Sequence, residues 1–154
     1  MAKTSFINKT LENVSTFLGT FACDKLTLLP KTDSLVSIIV NLDKAEDPGS
    51  HWTALSIKRK GHDQNCYFYD PLGSPCTNNY ILQIVKRYNP LQYNKQQIQA
   101  ITSRYCGIYC VAFVLFMDKG GESIESFNKM FCKTDYLLSY NDKIVVQYVL
   151  ENKY

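Results

Sequence analysis

A chain of 154 residues, 45% hydrophobic and 20% charged, has the size of one ordinary domain, and a domain of that length buries roughly 70% of its unfolded surface without needing a staple. The formal charge of +3 allows no more than a weak affinity for polyanions. The longest apolar run, 111–117, falls far short of the ~20 residues a helix needs to cross a bilayer. Six cysteines raise the question of disulfides, but the opening residues carry no apolar core followed by a small-residue cleavage site. The expectation is a single soluble domain over 1–154, not bound to membrane, with free thiols in a reducing, intracellular compartment.

Residues 11–18 space Leu11, Val14, Phe17 and Leu18 as one helical face, with Gly19 as a stop. Residues 35–41 are short and β-branched and predict a buried strand. A loop over 43–50, containing Pro48-Gly49, delivers the chain to His51. Residues 52–58 and 65–70 then read as a hairpin, joined by the polar segment 59–64 and broken by Pro71 and Pro75. Ile81, Ile84, Val85 and Tyr88 share a face of a helix over 80–88, which Asn89-Pro90 ends. A strand is expected within 91–101. The nearly continuous apolar stretch 104–117 predicts a helix buried on most sides, stopped by Gly120-Gly121. Helices over 124–132 and 142–151 complete an α+β domain in which a small sheet packs on a central helix.

The chemistry concentrates in a few of these residues. Cys106 precedes Gly107 at the start of the apolar helix, where unpaired N–H groups favour a thiolate and Ser103 is available as a cap. Gly107 would leave space beside the sulfur for a substrate backbone. His51, at the junction of a loop and a strand and flanked by Trp52, is the better-oriented of the two histidines, since His62 falls in a charged turn. Asp70 ends the neighbouring strand, where a carboxylate could accept the second imidazole N–H. Gln99 could donate to a developing oxyanion beside the Cys106 N–H. Each has an ordinary structural alternative, and it is their joint occurrence that points to thiol acyl transfer. The basic run Lys58-Arg59-Lys60 reads first as a solvated turn. No phosphate loop, dinucleotide fingerprint or zinc-finger spacing occurs.

Phe17-Leu18-Gly19-Thr20, Ile39-Val40-Asn41, Ser50-His51-Trp52, the run from Cys66 to Gly73 and the run from Gln99 to Cys110 together resemble the adenovirus endopeptidase (adenain) family. Its relatives occur in adenovirus-like mobile elements and virophages, within the wider group of ubiquitin-like-protein-specific proteases. The resemblance implies a papain-like fold, a small mixed sheet packed on a central helix that carries the nucleophile. By carry-over His51 would be the base, Asp70 the orienting acid, Cys106 the nucleophile and Gln99 the oxyanion donor. The acid is Asp here, as in the wider group, where the adenovirus enzymes have Glu. The family further implies a monomeric endopeptidase that matures viral capsid or core precursor proteins, in the virion and the infected cell. No cofactor is required for the chemistry, while DNA or an activating peptide are the activators the family suggests. The competing readings are an isopeptidase acting on a ubiquitin-like modifier, a non-catalytic interaction module of the same fold, and a thiol redox or metal protein using Cys106 and Cys110.

Overall fold

The computed structural model describes residues 2–27, 29, 34–88 and 90–154. Five strands form one mixed sheet in the order β1 (Phe17–Ala22), β2 (Leu35–Asn41), β3 (Trp52–Lys60), β4 (Asp63–Tyr69) and β5 (Leu91–Tyr93). The outer pairs β1–β2 and β4–β5 are parallel, and β2–β3–β4 form an antiparallel centre. The β3–β4 turn is the two-residue pair Gly61-His62, with Gly61 at φ +61°. That left-handed conformation matches the twist of the strands it joins.

Both faces of the sheet are covered, so its central strands read as apolar runs rather than as clean alternation. Val36, Ile38 and Val40 of β2, with Leu55 and Ile57 of β3, face α2 (Asn79–Val85) through Ile81, Ile84 and Val85. Ile39, Ala54, Tyr67 and Tyr69 face the other way, onto α3 (Cys106–Asp118). Ser37 and Ser56, fully buried, satisfy each other at 2.7 Å across β2 and β3. Ten of the thirteen residues of α3 are buried, which makes it the central helix. It is enclosed by α1 (Thr4–Thr10), α4 (Ile124–Asn128) and α5 (Asn141–Asn152). Tyr69 stacks on Phe113 at 4.6 Å, and Phe127 meets both rings edge-on at 5.3 and 5.4 Å. This cluster fastens the end of β4 to α3 and α4, with each fully buried ring contributing about 1.5–3 kcal/mol.

The α+β class and the sheet-on-central-helix architecture are as expected, but four elements differ. Residues 11–18 are not a helix: α1 lies earlier, Leu11 and Val14 are buried in a turn, and Phe17 begins β1. An i, i+3 apolar spacing serves a compact turn as well as a helix, and the pairing of β1 with β2 is nonlocal and so invisible in the spacing. The strand within 91–101 is confined to Leu91–Tyr93. The helix after Ser123 ends at Asn128, short of Cys132. The helix expected over 80–88 ends at Val85, three residues short of Tyr88, and Asn89 lies outside the described residues.

Candidate active site

His51 precedes β3 and Asp70 follows β4, so both project from the same open end of the hairpin. Their register partners in the ladder end at the pair Ala54 and Tyr69, and beyond it the two side chains meet directly. His51 Nε2 lies 2.8 Å from Asp70 Oδ1. The same carboxylate oxygen accepts the Leu72 N–H at 2.8 Å, which leaves the buried Asp70 with little freedom to turn.

Cys106 is the first residue of α3 and is buried. Its side chain hydrogen-bonds the His51 imidazole, whose Nε2 is taken by Asp70, so the remaining ring nitrogen serves the sulfur. Burial by itself disfavours the imidazolium, yet the hydrogen bonds to Asp70 and Cys106 outweigh it and push His51 up to about 9. Burial likewise opposes the Cys106 thiolate, but His51 and the backbone N–H groups of Trp52 and Gly107 overcome it and lower the thiol from its ordinary value. The arrangement favours a thiolate–imidazolium pair at neutral pH.

Two local expectations are corrected. Ser103 is not the helix cap: its hydroxyl accepts the Tyr105 N–H at 3.2 Å and donates to Asp142 Oδ1 at 2.9 Å, and the N-cap position is Tyr105. Gly107 does not open space for a substrate. A Cβ there would lie 2.8 Å from Ala2 Cβ and 3.1 Å from Trp52 Cδ1, so this glycine admits the N-terminal segment against the start of α3. The contribution of the Trp52 N–H was not legible from the residue type, because any residue at that position has one.

Gln99 is 2% exposed and joins His51, Cys106, Leu72 and Ile101 in lining a cavity of about 430 Å³. Its Nε2 donates to Ser103 O at 2.9 Å, which uses one of two amide hydrogens. Its backbone is held from the other side, since the N–H groups of Ile98 and Gln99 both donate to Pro71 O, at 2.9 and 3.0 Å. The start of α5 closes the loop: Asn141 Nδ2 donates to Ile98 O, and Asp142 accepts from Ser103 and Tyr109. All four expected residues, His51, Asp70, Gln99 and Cys106, therefore come to one place. Cys110 lies one turn along α3, completely buried, with its thiol pushed well up by that burial. Among the described residues no group of His, Cys, Asp and Glu side chains is arranged to hold a metal ion.

Gly73 sets the spacing between these parts. It has φ +75°, and a Cβ would meet the backbone of Gln96 and Gln97 at 2.7 Å. Gly73→Ala is expected to destabilise the protein by about 2–4 kcal/mol, from the left-handed backbone together with overpacking against main chain that cannot swing away. Because the displaced segment leads to Gln99, turnover at a temperature where the variant remains folded should fall more than the melting shift explains. Thermal melts paired with kcat measure both.

The pH dependence follows from the same pair. If the reactive form is Cys106 thiolate with His51 imidazolium, the rate rises with pH as the thiol ionises, from below the ordinary thiol range. It falls again as the imidazolium is lost near pH 9. The expected result is a bell-shaped kcat/KM profile whose alkaline limb lies far above the ordinary histidine range. A limb near 6.5 would contradict the geometry.

In fold class the chain is an α+β protein, and solved structures share its architecture. Two crystal structures of an ASFV protease match it with TM-scores of 0.57 and 0.58. They cover 92% and 90% of this chain and 66% and 65% of their own, at 12% and 11% identity, so the likeness is one of fold. In sequence, the chain is 30% identical over 112 residues to a protease of Bovine adenovirus 4, a match covering 64% of this chain and 54% of that relative. The chain thus spans about half the length of that curated relative. No family model matches. The similarity to adenovirus proteases read from the motifs is found again in the sequence comparison.

Proposed function

We propose that the protein is a cysteine endopeptidase that cleaves viral or mobile-element precursor polypeptides, in the particle and in the infected cell. The observation that supports it most is the double engagement of His51, which hydrogen-bonds Asp70 on one side and Cys106 on the other. In this reading the Cys106 thiolate attacks the scissile carbonyl carbon, and the carbonyl oxygen becomes an oxyanion that receives the free N–H of Gln99. The His51 imidazolium gives its proton to the leaving amine, and a thioester remains on Cys106. Water, deprotonated by neutral His51, then attacks the thioester, and the acid product leaves with the thiolate restored. Asp70 keeps the ring oriented throughout.

A second cavity, of about 580 Å³, is lined by Ala2, Thr20, Asn41, Lys44 and Trp52 and shares Gly49 with the catalytic one. In this reading an extended peptide would run from one to the other over the residues that precede His51. DNA activation has less support: the basic run Lys58-Arg59-Lys60 is not a turn but the end of β3, where Lys58 donates to Gly121 O and Arg59 is bonded to Gln64 and lies over Tyr88, so the run is partly occupied within the chain.

The test is to incubate the purified protein with co-encoded capsid and core precursors, and in parallel with a panel of ubiquitin-like modifier conjugates, mapping new termini by mass spectrometry. Internal cleavage of the precursors that Cys106→Ala abolishes supports the proposal. Release of modifiers alone replaces it with an isopeptidase, and no cleavage of either overturns it.

A further inference from the structure

We infer that Asn94 is a positioning residue of this site, its buried amide holding the main chain at Asp70 and starting the turn that returns the chain to Gln99. The inference rests on the proposed roles of Asp70 and Gln99. Asp70 lies one residue past Tyr69, the last residue of β4 paired with β3. The ladder therefore does not fix it. Asn94 does: its Nδ2 donates to Asp70 O at 2.7 Å, alongside the Gly73 N–H at 2.9 Å. The backbone supports this, because the Asn94 N–H donates to Phe68 O at 3.2 Å and continues the β4–β5 pairing one residue beyond Tyr93.

The other end of the amide is equally committed. Asn94 Oδ1 accepts the Gln96 N–H at 3.1 Å and Asn128 Nδ2 at 2.8 Å. The first bond is a local turn that ends the strand and sends the chain toward Pro71, where Ile98 and Gln99 are received. The second anchors the amide to α4. With 0% exposure, Asn94 is a polar group kept in the core at a desolvation cost that only directed hydrogen bonds offset. An apolar residue would fill the space but would leave the Asp70 carbonyl and the Gln96 N–H without these partners. Misplacing reacting groups by about 1 Å can cost about 10²-fold in rate, so the side chain that ties the start of segment 94–99 to Asp70 bears on the acid directly and, through the turn it begins, on the oxyanion donor.

The experiment compares wild type, Asn94→Ala, Asn94→Ser, Asp70→Asn and the double variant Asn94→Ala/Asp70→Asn on a cleavable peptide. Melting temperature, kcat, KM, the pH profile and the pH dependence of Cys106 alkylation by iodoacetamide are recorded for each. The expected result for Asn94→Ala is a loss of about 10- to 100-fold in kcat with KM little changed, an alkaline limb of cleavage moved toward neutral pH, and a rise of Cys106 alkylation moved to higher pH. In the Asp70→Asn background the same substitution should cost much less, because its effect passes largely through Asp70. Equal loss in both backgrounds, or an unmoved limb, would make Asn94 a purely structural residue and overturn the inference. Failure of both Asn94→Ala and Asn94→Ser to fold would do so as well. The functional reading fails separately, by wild-type activity that survives Cys106→Ala.

Discussion

Cys106→Ala and His51→Ala are each expected to remove peptide hydrolysis, by about 10⁶-fold if the pair behaves as other nucleophile–base units do, in which losing either member costs nearly as much as losing both. The two side chains hydrogen-bond each other and shift each other's ionisation toward the charged pair, so neither has a substitute. Cys110→Ala is the informative control. Its thiol is completely buried and held protonated, and truncating it should cost about 1 kcal/mol of stability through a small cavity while leaving activity in place. Active-site titration with iodoacetamide, read with kcat and thermal melts, separates the three variants. Activity in Cys106→Ala with a dead Cys110→Ala would reassign the nucleophile.

Gln99→Ala should lower kcat by about 10²- to 10³-fold with little change in KM, the effect of deleting a donor aimed at charge that develops only in the transition state. The geometry adds a second component. Gln99 Nε2 also donates to Ser103 O, so truncation loosens the turn before Cys106 as well as removing the donor. Gln99→Glu retains the shape but presents a carboxylate to the oxyanion, and it should be at least as impaired as alanine. Single-turnover acylation rates measured at saturating peptide resolve the step affected. Wild-type acylation in both variants would remove Gln99 from the site. Asp70→Asn should also impair turnover, through the loss of the charge that orients His51 and stabilises its imidazolium.

How far the sequence foretold this depends on the range of the interactions. The hairpin was legible because its signals are local: β-branched and aromatic residues on both strands, a glycine at the turn, a proline after Asp70. The central helix was legible because it is apolar on every side. The four candidate residues were chosen by residue type, three of them at the ends of those elements, and the fold brings all four together. The edges of the sheet were not. β1 exists through pairing with β2, and its residues alone fit a helix terminus equally well. β5 stops after Tyr93 because Asn94 turns its side chain to Asp70 and Gln96, a choice decided by groups 24 residues away in one case and two in the other. Gly107 was assigned the right property, the absence of a side chain, and the wrong beneficiary, since the neighbour that needs the space is Ala2.

The hairpin that carries His51 and Asp70 at one end has its turn, Gly61-His62, at the other. Nine residues of β3 at about 3.4 Å each separate them by roughly 30 Å. Gly61 has nothing within 4 Å of where a Cβ would be, and His62 is exposed. The molecule thus offers a remote handle: a fluorophore, an affinity tag or an immobilising linker spliced in at this tip would report on or tether the protein without approaching the cleft. The segment at Ala2 gives no such freedom, because it packs on the start of α3 and its carbonyl accepts the Trp52 indole N–H at 3.0 Å.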